Sequence, residues 1–380
     1  MAEKKLEVVV LGCGVPKFSM GWTHLFQLLQ EPLASMASVA GVVEPFFLSE
    51  QGKATKGADL FREWMAQHPE IPCVDSISKL PAVAPGKLRV ALISVRTPDA
   101  KQTFVDAVVQ AGCRGVYLEK PGATSVAEVD EMARLAEERG VTVFVGYSRN
   151  LGYPKRGLAF AQEQRKAAGG REPRITLLHA NPFKEEEMAA CFDRCRPGML
   201  YDMACHDLAM AVAFFGLTTE YTGLTVDAEK SLQATYAGIE DFVRLAFAVT
   251  PKDAANPINF CIDRCAGAFN GMEVEVLAPA GGEPSAKTPR AARRFMCGEA
   301  PLFENPLEDL APHLAVQYDY YVEGKRVLLE ALQKLAETGA KGQAELPPGA
   351  ATLRVAREVM LLADRLTAEL KAKVPRAAAA

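Results

Sequence analysis

At 380 residues the chain is too long for one ordinary compact domain and suits two. Its 49% apolar and 24% charged residues are average for globular proteins, which excludes wholesale disorder and fibrous folds. A formal net charge of −4 argues against a dedicated binder of nucleic acid or of anionic membranes. Leu6 to Leu11 reads as a strand buried on both faces that flows into a glycine turn. Neither that short run nor any later one suggests a signal peptide or a membrane span of about 18 apolar residues. The nine cysteines include no Cys-x-x-Cys pair, and their odd number favours reduced thiols in the cytoplasm. Cys191/Cys195 and Cys261/Cys265 are each four apart, but no His-rich segment accompanies them, so no metal is expected.

Up to about residue 150, strands and helices alternate. After the first strand come a helix over Gly21 to Leu29, a strand over Val39 to Val43 and a helix over Gly52 to Gln67. A strand over Leu88 to Val95 and a helix over Asp99 to Ala111 follow, with Gly112 as its C-cap. Val116 to Leu118 is a strand. Ser125 N-caps the next helix, with Glu128 completing a capping box, and Val141 to Val145 closes the series. Alternation of this kind implies a doubly wound parallel sheet. The grammar then changes. A helix over Arg156 to Ala167 precedes strands at Ile175–His179, Phe242–Val249, Ile258–Ile262 and Met272–Leu277, with one helix, Met199 to Phe215, after the first of them. Strands without intervening helices imply a largely antiparallel open sheet in an α+β domain. Gly281 to Arg294 reads as a loop. Two helices, near Ala315–Thr338 and Ala350–Lys373, precede a tail, PRAAAA, expected to be disordered.

The first turn reads VVVLGCGVPKFSMG. Gly12 and Gly14 directly follow the first strand, where glycine allows a tight turn and close approach of a pyrophosphate to the next helix. Lys17 stands where a third glycine is usual; the next is Gly21, so the loop is four residues longer than the common fingerprint. The plainer alternative is a simple strand-to-helix turn. Glu44 ends the second strand, where a carboxylate can accept both ribose hydroxyls of an adenosine and repel a 2′-phosphate. That favours NAD over NADP, although Arg96, Lys53 and Lys56 could form a phosphate site. Later, Asp202 and His206 stand four apart, which on one helix puts them on one face. A carboxylate there can orient an imidazole that takes or gives a proton. The alternative is a helix-terminal aspartate beside a core histidine. Lys120 ends a parallel strand, where such folds place their ligands.

Several of these segments together resemble the Gfo/Idh/MocA oxidoreductases. They are the glycine turn, Glu44, Arg96-Thr97-Pro98, Glu119-Lys120-Pro121, Gly146-Tyr147, and Gly198-x-x-x-Asp202-x-x-x-His206. The resemblance implies a Rossmann domain over residues 1–150 that binds NAD, or NADP, through Gly12, Gly14, Gly21, Glu44, Thr97, Pro98, Glu119, Lys120 and Pro121. It implies a substrate-binding and oligomerisation domain over 151–376, whose C-terminal helices can pack back on the first. It also implies hydride transfer on a sugar, polyol or related metabolite, with Lys120, Asp202 and His206 as catalytic residues and a cis bond before Pro121. Arg149, Tyr153, Arg194 and Arg196 are candidate substrate contacts, and surface arginine is the alternative for the last two. An open sheet face needing cover suggests a homo-dimer or homo-tetramer. The chain departs from the family pattern in the glycine-turn insertion, in Lys101 where histidine is frequent, and in Ser148-Arg149-Asn150. Two other readings stay open: redox-assisted elimination or hydrolysis with retained NAD, and a cofactor-binding regulatory protein without turnover.

Overall fold

The computed structural model of the protein describes residues 6–167, 172–275, 292–299 and 318–377. The chain divides into two compact units, Met1–Ser148 with Leu302–Arg357, and Arg149–Pro301 with Glu358–Ala380. The sequence division put residues after 150 in the second domain and left the C-terminal helices free to return; the segment 302–357 clusters with the first unit.

The first unit is built on a six-stranded, all-parallel sheet in the order β3-β2-β1-β4-β5-β6. Its strands are β1 (Leu6–Leu11), β2 (Ala37–Val43), β3 (Cys73–Val74), β4 (Leu88–Ile93), β5 (Gly115–Leu118) and β6 (Thr142–Val145). Helices α1 (Met20–Leu28), α2 (Lys56–Gln67), α3 (Thr97–Val109) and α4 (Val126–Arg139) connect them. β1, β5 and β6 are buried along their whole length, which is why their sequences read as unbroken runs rather than alternations. Glu7 is the charged exception. It lies opposite Arg89 in the β1–β4 register and accepts from the Arg89 Nε at 2.7 Å, so the buried charge is paired.

Strand order reverses between β1 and β4. In open α/β sheets this switch point, at the carboxyl ends of the strands, is where ligands bind. The turns carrying Gly12, Glu44, Thr97, Lys120 and Gly146 all leave the sheet at that edge.

The second unit runs through α5 (Tyr153–Ala167), β7 (Arg174–Ala180), α6 (Met188–Arg194), α7 (Met199–Asp202) and α8 (Cys205–Phe215). It continues with β8 (Gly223–Val226), β9 (Leu232–Tyr236), β10 (Ile239–Thr250), β11 (Ile258–Asp263), β12 (Phe269–Glu275) and β13 (Ala292–Met296). Its seven-stranded sheet has the order β13-β12-β7-β11-β10-β8, with β9 also paired to β10. Among the described strand pairs of this sheet, β7 with β11 is parallel and the rest are antiparallel. Ile258, Phe260 and Ile262 alternate inward along β11, and Phe260 stacks on its register partner Phe247 with centroids 4.7 Å apart. Two helices end the chain: α9 (Tyr318–Thr338), in the first unit, and α10 (Leu353–Lys371). α9 lies close on β5 and β6 because Gly115 and Gly324 leave room. A Cβ at Gly115 would sit 2.2 Å from a Leu332 methyl, and one at Gly324 3.0 Å from the Ser148 Oγ.

Several expected elements differ. The helix expected over Gly52–Gln67 breaks at Ala54–Thr55, leaving a single turn, Glu50–Lys53, before α2. Met199–Phe215 is likewise two helices. The Ala204 amide reaches back five residues to the Met199 carbonyl, and the freed Asp202 carbonyl accepts from the Cys205 thiol at 3.3 Å. Half of the expected capping box forms: Ser125 accepts from the Glu128 amide, while the Glu128 carboxylate turns to Thr124. Residues Ala292–Arg294, expected in a loop, open β13, and the rest of that loop lies outside the described residues. Part of the tail is ordered by β9, since Gln233 exchanges backbone hydrogen bonds with Pro375 and Ala377.

Candidate active site

At the end of β1, Gly12 and Gly14 take φ of +84° and +68°, a region costly for residues with a Cβ. A Cβ at Gly12 would lie 2.9 Å from the Ser94 carbonyl oxygen, so the turn packs directly on the segment after β4. Gly21 does the work of the usual third glycine. A Cβ there would stand 2.0 Å from the Gly12 carbonyl oxygen, so only glycine lets α1 approach the turn. The extra residues form a closed loop: the Phe18 and Ser19 amides donate to the Val15 carbonyl, and the Val15 amide donates to the Ser19 Oγ.

Glu44 is buried, and its carboxylate folds onto this turn, accepting from the Gly14 amide at 2.7 Å. The amides of Cys13, Phe46 and Phe47 also favour its charged form. Burial raises its pKa above the ordinary carboxylate value, against the pull of those amides. Thr97 and Pro98 open α3, with Thr97 half-buried and Pro98 exposed. After β5 the Lys120–Pro121 peptide is cis, and Lys120 is half-buried. The Glu119 Oε1 lies 2.9 Å from the buried His24 Nε2. Gly146, after β6, leaves space for it: a Cβ there would lie 2.8 Å from the Glu119 Oε1.

In the second unit, Gly198 (φ +102°) precedes α7, whose first amide, that of Met199, donates to the buried Asp241 at 3.2 Å. The other Asp241 oxygen accepts from Arg264, a fully buried guanidinium that also contacts the Cys191 Sγ at 3.0 Å. This pair fixes the start of the segment carrying Asp202 and His206. The break between α7 and α8 removes the single-helix spacing on which their common face was expected. Asp202 is exposed and accepts from the Cys195 thiol at 2.8 Å. Burial and the Asp202 carboxylate hold that thiol up at about 12, so it stays a donor at neutral pH. His206 is buried near the start of α8.

Asp207, the next residue along α8, forms a buried carboxylate–imidazole pair. Asp207 Oδ2 lies 2.7 Å from His179 Nδ1, with both side chains almost wholly buried. Arg149 joins them, with one Nη 3.3 Å from both ring nitrogens of His179 and 2.7 Å from Asn270 Oδ1. Tyr153 is buried at the start of α5. Arg194 and Arg196 are exposed; the first lies over Phe183 and the second is held by Asp193. Among the described residues, no cluster of His, Cys, Asp and Glu could hold a metal ion, and no helix is long and apolar enough to cross a membrane.

Residues 6–147 match the sequence model of the oxidoreductase family with an NAD-binding Rossmann fold, Gfo/Idh/MocA. That match spans the strands of the first unit's sheet, β1 to β6. No curated protein sequence matches it. Solved structures of similar fold include myo-inositol 2-dehydrogenase from Lactobacillus plantarum, at 16% identity and TM-score 0.62, covering 97% of this chain and 98% of that one. UDP-N-acetylglucosamine 3-dehydrogenase from Acidithiobacillus ferrooxidans matches at 15% identity and TM-score 0.60, covering 97% of each chain. Scyllo-inositol dehydrogenase from Lactobacillus casei matches at 13% identity and TM-score 0.62, covering 98% of each. At these identities the likeness is one of fold.

A dinucleotide of the kind bound by the family matched over residues 6–147 suits the residues present in the first unit. The donor set is backbone amide around two left-handed glycines, at the carboxyl edge of a parallel sheet, with one carboxylate at the end of β2. Sequence reasoning missed His24 as the partner of Glu119, and Asp207 as the partner of His179. These pairs are 95 and 28 residues apart, so no local spacing points to them.

Proposed function

We propose that the protein is an NAD(P)-dependent oxidoreductase that moves a hydride between nicotinamide and a hydroxyl or carbonyl carbon of a small sugar or polyol. The observation that carries this reading is the assembly, on one sheet edge, of the glycine turn, Glu44 and the Glu119-Lys120 segment. The dehydrogenases of inositols and of a nucleotide sugar that share the fold support the substrate class. Gly12, Gly14 and Gly21 would admit the pyrophosphate to the turn and the start of α1, and Glu44 would face the ribose. Thr97, Pro98 and Pro121 would line the cofactor. Bound nicotinamide supplies the hydride acceptor or donor. Lys120 would donate to the reacting oxygen and polarise it. His206 would take the hydroxyl proton during oxidation and return it during reduction. Asp202, steadied by the Cys195 thiol, would stabilise the resulting imidazolium. Arg149 and Tyr153 are the candidate substrate contacts whose burial suits a shaped site; Arg194 and Arg196 would serve at its rim.

The carboxylate at the end of β2 favours NAD over NADP. We place the protein in the cytoplasm, as a homo-dimer or homo-tetramer formed through the second-unit sheet. Light scattering at micromolar concentration should return a multiple of the 41.1 kDa chain mass; a monomer would remove the oligomer from the proposal. The reading itself is tested by following nicotinamide absorbance with a panel of sugars and polyols. Absence of turnover with every member, in both directions, would contradict it.

A further inference from the structure

Behind the Glu119-Lys120 segment lies a buried chain of polar groups drawn from three elements. Lys325, on α9, is 2% exposed, yet its Nζ has a full set of partners. It lies 2.8 Å from His24 Nδ1 and 2.6 Å from Gln27 Oε1, and faces the Tyr117 ring at 5.2 Å from its centroid. Gln27 is itself fixed by donating to the Tyr318 carbonyl at 3.1 Å. His24, wholly buried on α1, spans the gap to Glu119 Oε1 at 2.9 Å. The edges of Tyr117 and Tyr321 close around its ring, with centroids 5.1 and 5.4 Å away. With Lys325 Nζ donating to His24 Nδ1, the ring proton sits on Nε2 and donates to Glu119.

We propose that Lys325 is a positioning residue for the Lys120 segment, acting through His24 on Glu119. This rests on the oxidoreductase reading for its link to turnover, while the chain of hydrogen bonds stands apart from it. Among the described residues, the titratable groups around Lys325 are His24 from α1, Tyr117 and Glu119 from β5 and the turn after it, and Tyr321 from α9 itself. Glu119 is the acid among them, and the imidazole links it to the lysine amine through two hydrogen bonds in series. The Glu119 Oε1 lies over the missing Cβ of Gly146, and the backbone continues directly into Lys120. A lysine on a helix some two hundred residues later thus sets where Lys120 is held. Burial drives the Lys325 pKa well below its ordinary value. Burial first, and then the Lys325 charge, bring His24 down to about 4, so the imidazole is neutral at physiological pH, as the relay requires.

Ring nitrogen NMR of His24 in the intact protein tests the relay directly. The wild type should show a neutral ring protonated on Nε2 at pH 7. In Lys325→Met the His24 titration midpoint should rise by one unit or more, about tenfold in proton affinity. A wild-type ring protonated on Nδ1, or one titrating near the ordinary value, would overturn the proposal without any variant. On a substrate that needs Lys120, Lys325→Met should keep cofactor affinity and lower kcat by up to about 10²-fold, the scale of an ångström misplacement. It should add no further loss in a Lys120→Ala background. Lys325→Gln, which keeps a donor to Nδ1, should recover most of kcat and replaces the methionine variant if that does not fold. Unchanged kcat, or additive losses with Lys120→Ala, would overturn the positioning role. Full turnover by Lys120→Ala itself would instead refute the role given to Lys120, and absence of turnover by the wild type the oxidoreductase reading; either leaves the ring spectrum to judge the relay.

Discussion

Asp207→Ala should be one of the costliest single substitutions in the second unit. Asp207 and His179 are 1% and 2% exposed and 2.7 Å apart, and an Arg149 Nη lies 3.3 Å from both nitrogens of the same imidazole. Removing the carboxylate takes away the buried acid bonded to this imidazole. Breaking such a buried pair by deleting one partner costs about 3–5 kcal/mol. At about 2–4 °C per kcal/mol for a unit of this size, the melting temperature should fall by roughly 6–20 °C. Asp202→Asn is the control. That side chain is exposed and bonded to a thiol, so its melting temperature should move by less than about 2 °C. Differential scanning calorimetry of both variants decides the matter, read on the transition of the second unit if the two units melt apart. If Asp207→Ala melts within 2 °C of wild type, or if Asp202→Asn is the more damaging, the assignment of the structural carboxylate is wrong.

Other expectations concern the nucleotide site. Glu44→Ala should relax the preference for NAD over NADP, as titration of both nucleotides would show. The same preference should weaken on acidification. Burial raises the Glu44 pKa, so the charge that repels a 2′-phosphate is complete well above that pKa and is lost as pH falls through it. Gly21→Ala should destabilise the first unit by about 1–3 kcal/mol or more and abolish nucleotide binding, because the new Cβ would meet a backbone oxygen at 2.0 Å. Unaltered nucleotide affinity in that variant would mean that α1 can shift without harming the site.

The parallel sheet was legible because both-face burial leaves a direct sequence signature, as in VVVL of β1 and TVFV of β6. The motifs at its carboxyl edge were legible because tight turns demand particular residues, Gly12 and Gly14 above all. What escaped was set by tertiary contact. β3 has two residues and no periodicity, and β8 and β9 are short edge segments whose polar residues hide their alternation. Nothing in MLYDMACHDLAM, which lacks glycine and proline, marks the break between α7 and α8. That break shows only in the folded backbone, where the Ala204 amide reaches back to the Met199 carbonyl and the Cys205 thiol bonds the Asp202 carbonyl. The His24, Glu119 and Lys325 alignment joins positions spread over most of the chain, and a lone histidine in an apolar helix gives no hint of it.

The central claim is that Lys120 and His206 act on one substrate beside a nicotinamide. The most direct measurement is steady-state nicotinamide absorbance with the best polyol or sugar, for wild type, Lys120→Ala, His206→Ala and the double variant. His206→Ala should bind cofactor normally and lose about 10²–10⁴ in kcat, and the double variant should lose little more than the worse single one. A folded His206→Ala with near-normal turnover, or strictly additive losses in the double variant, would contradict the account.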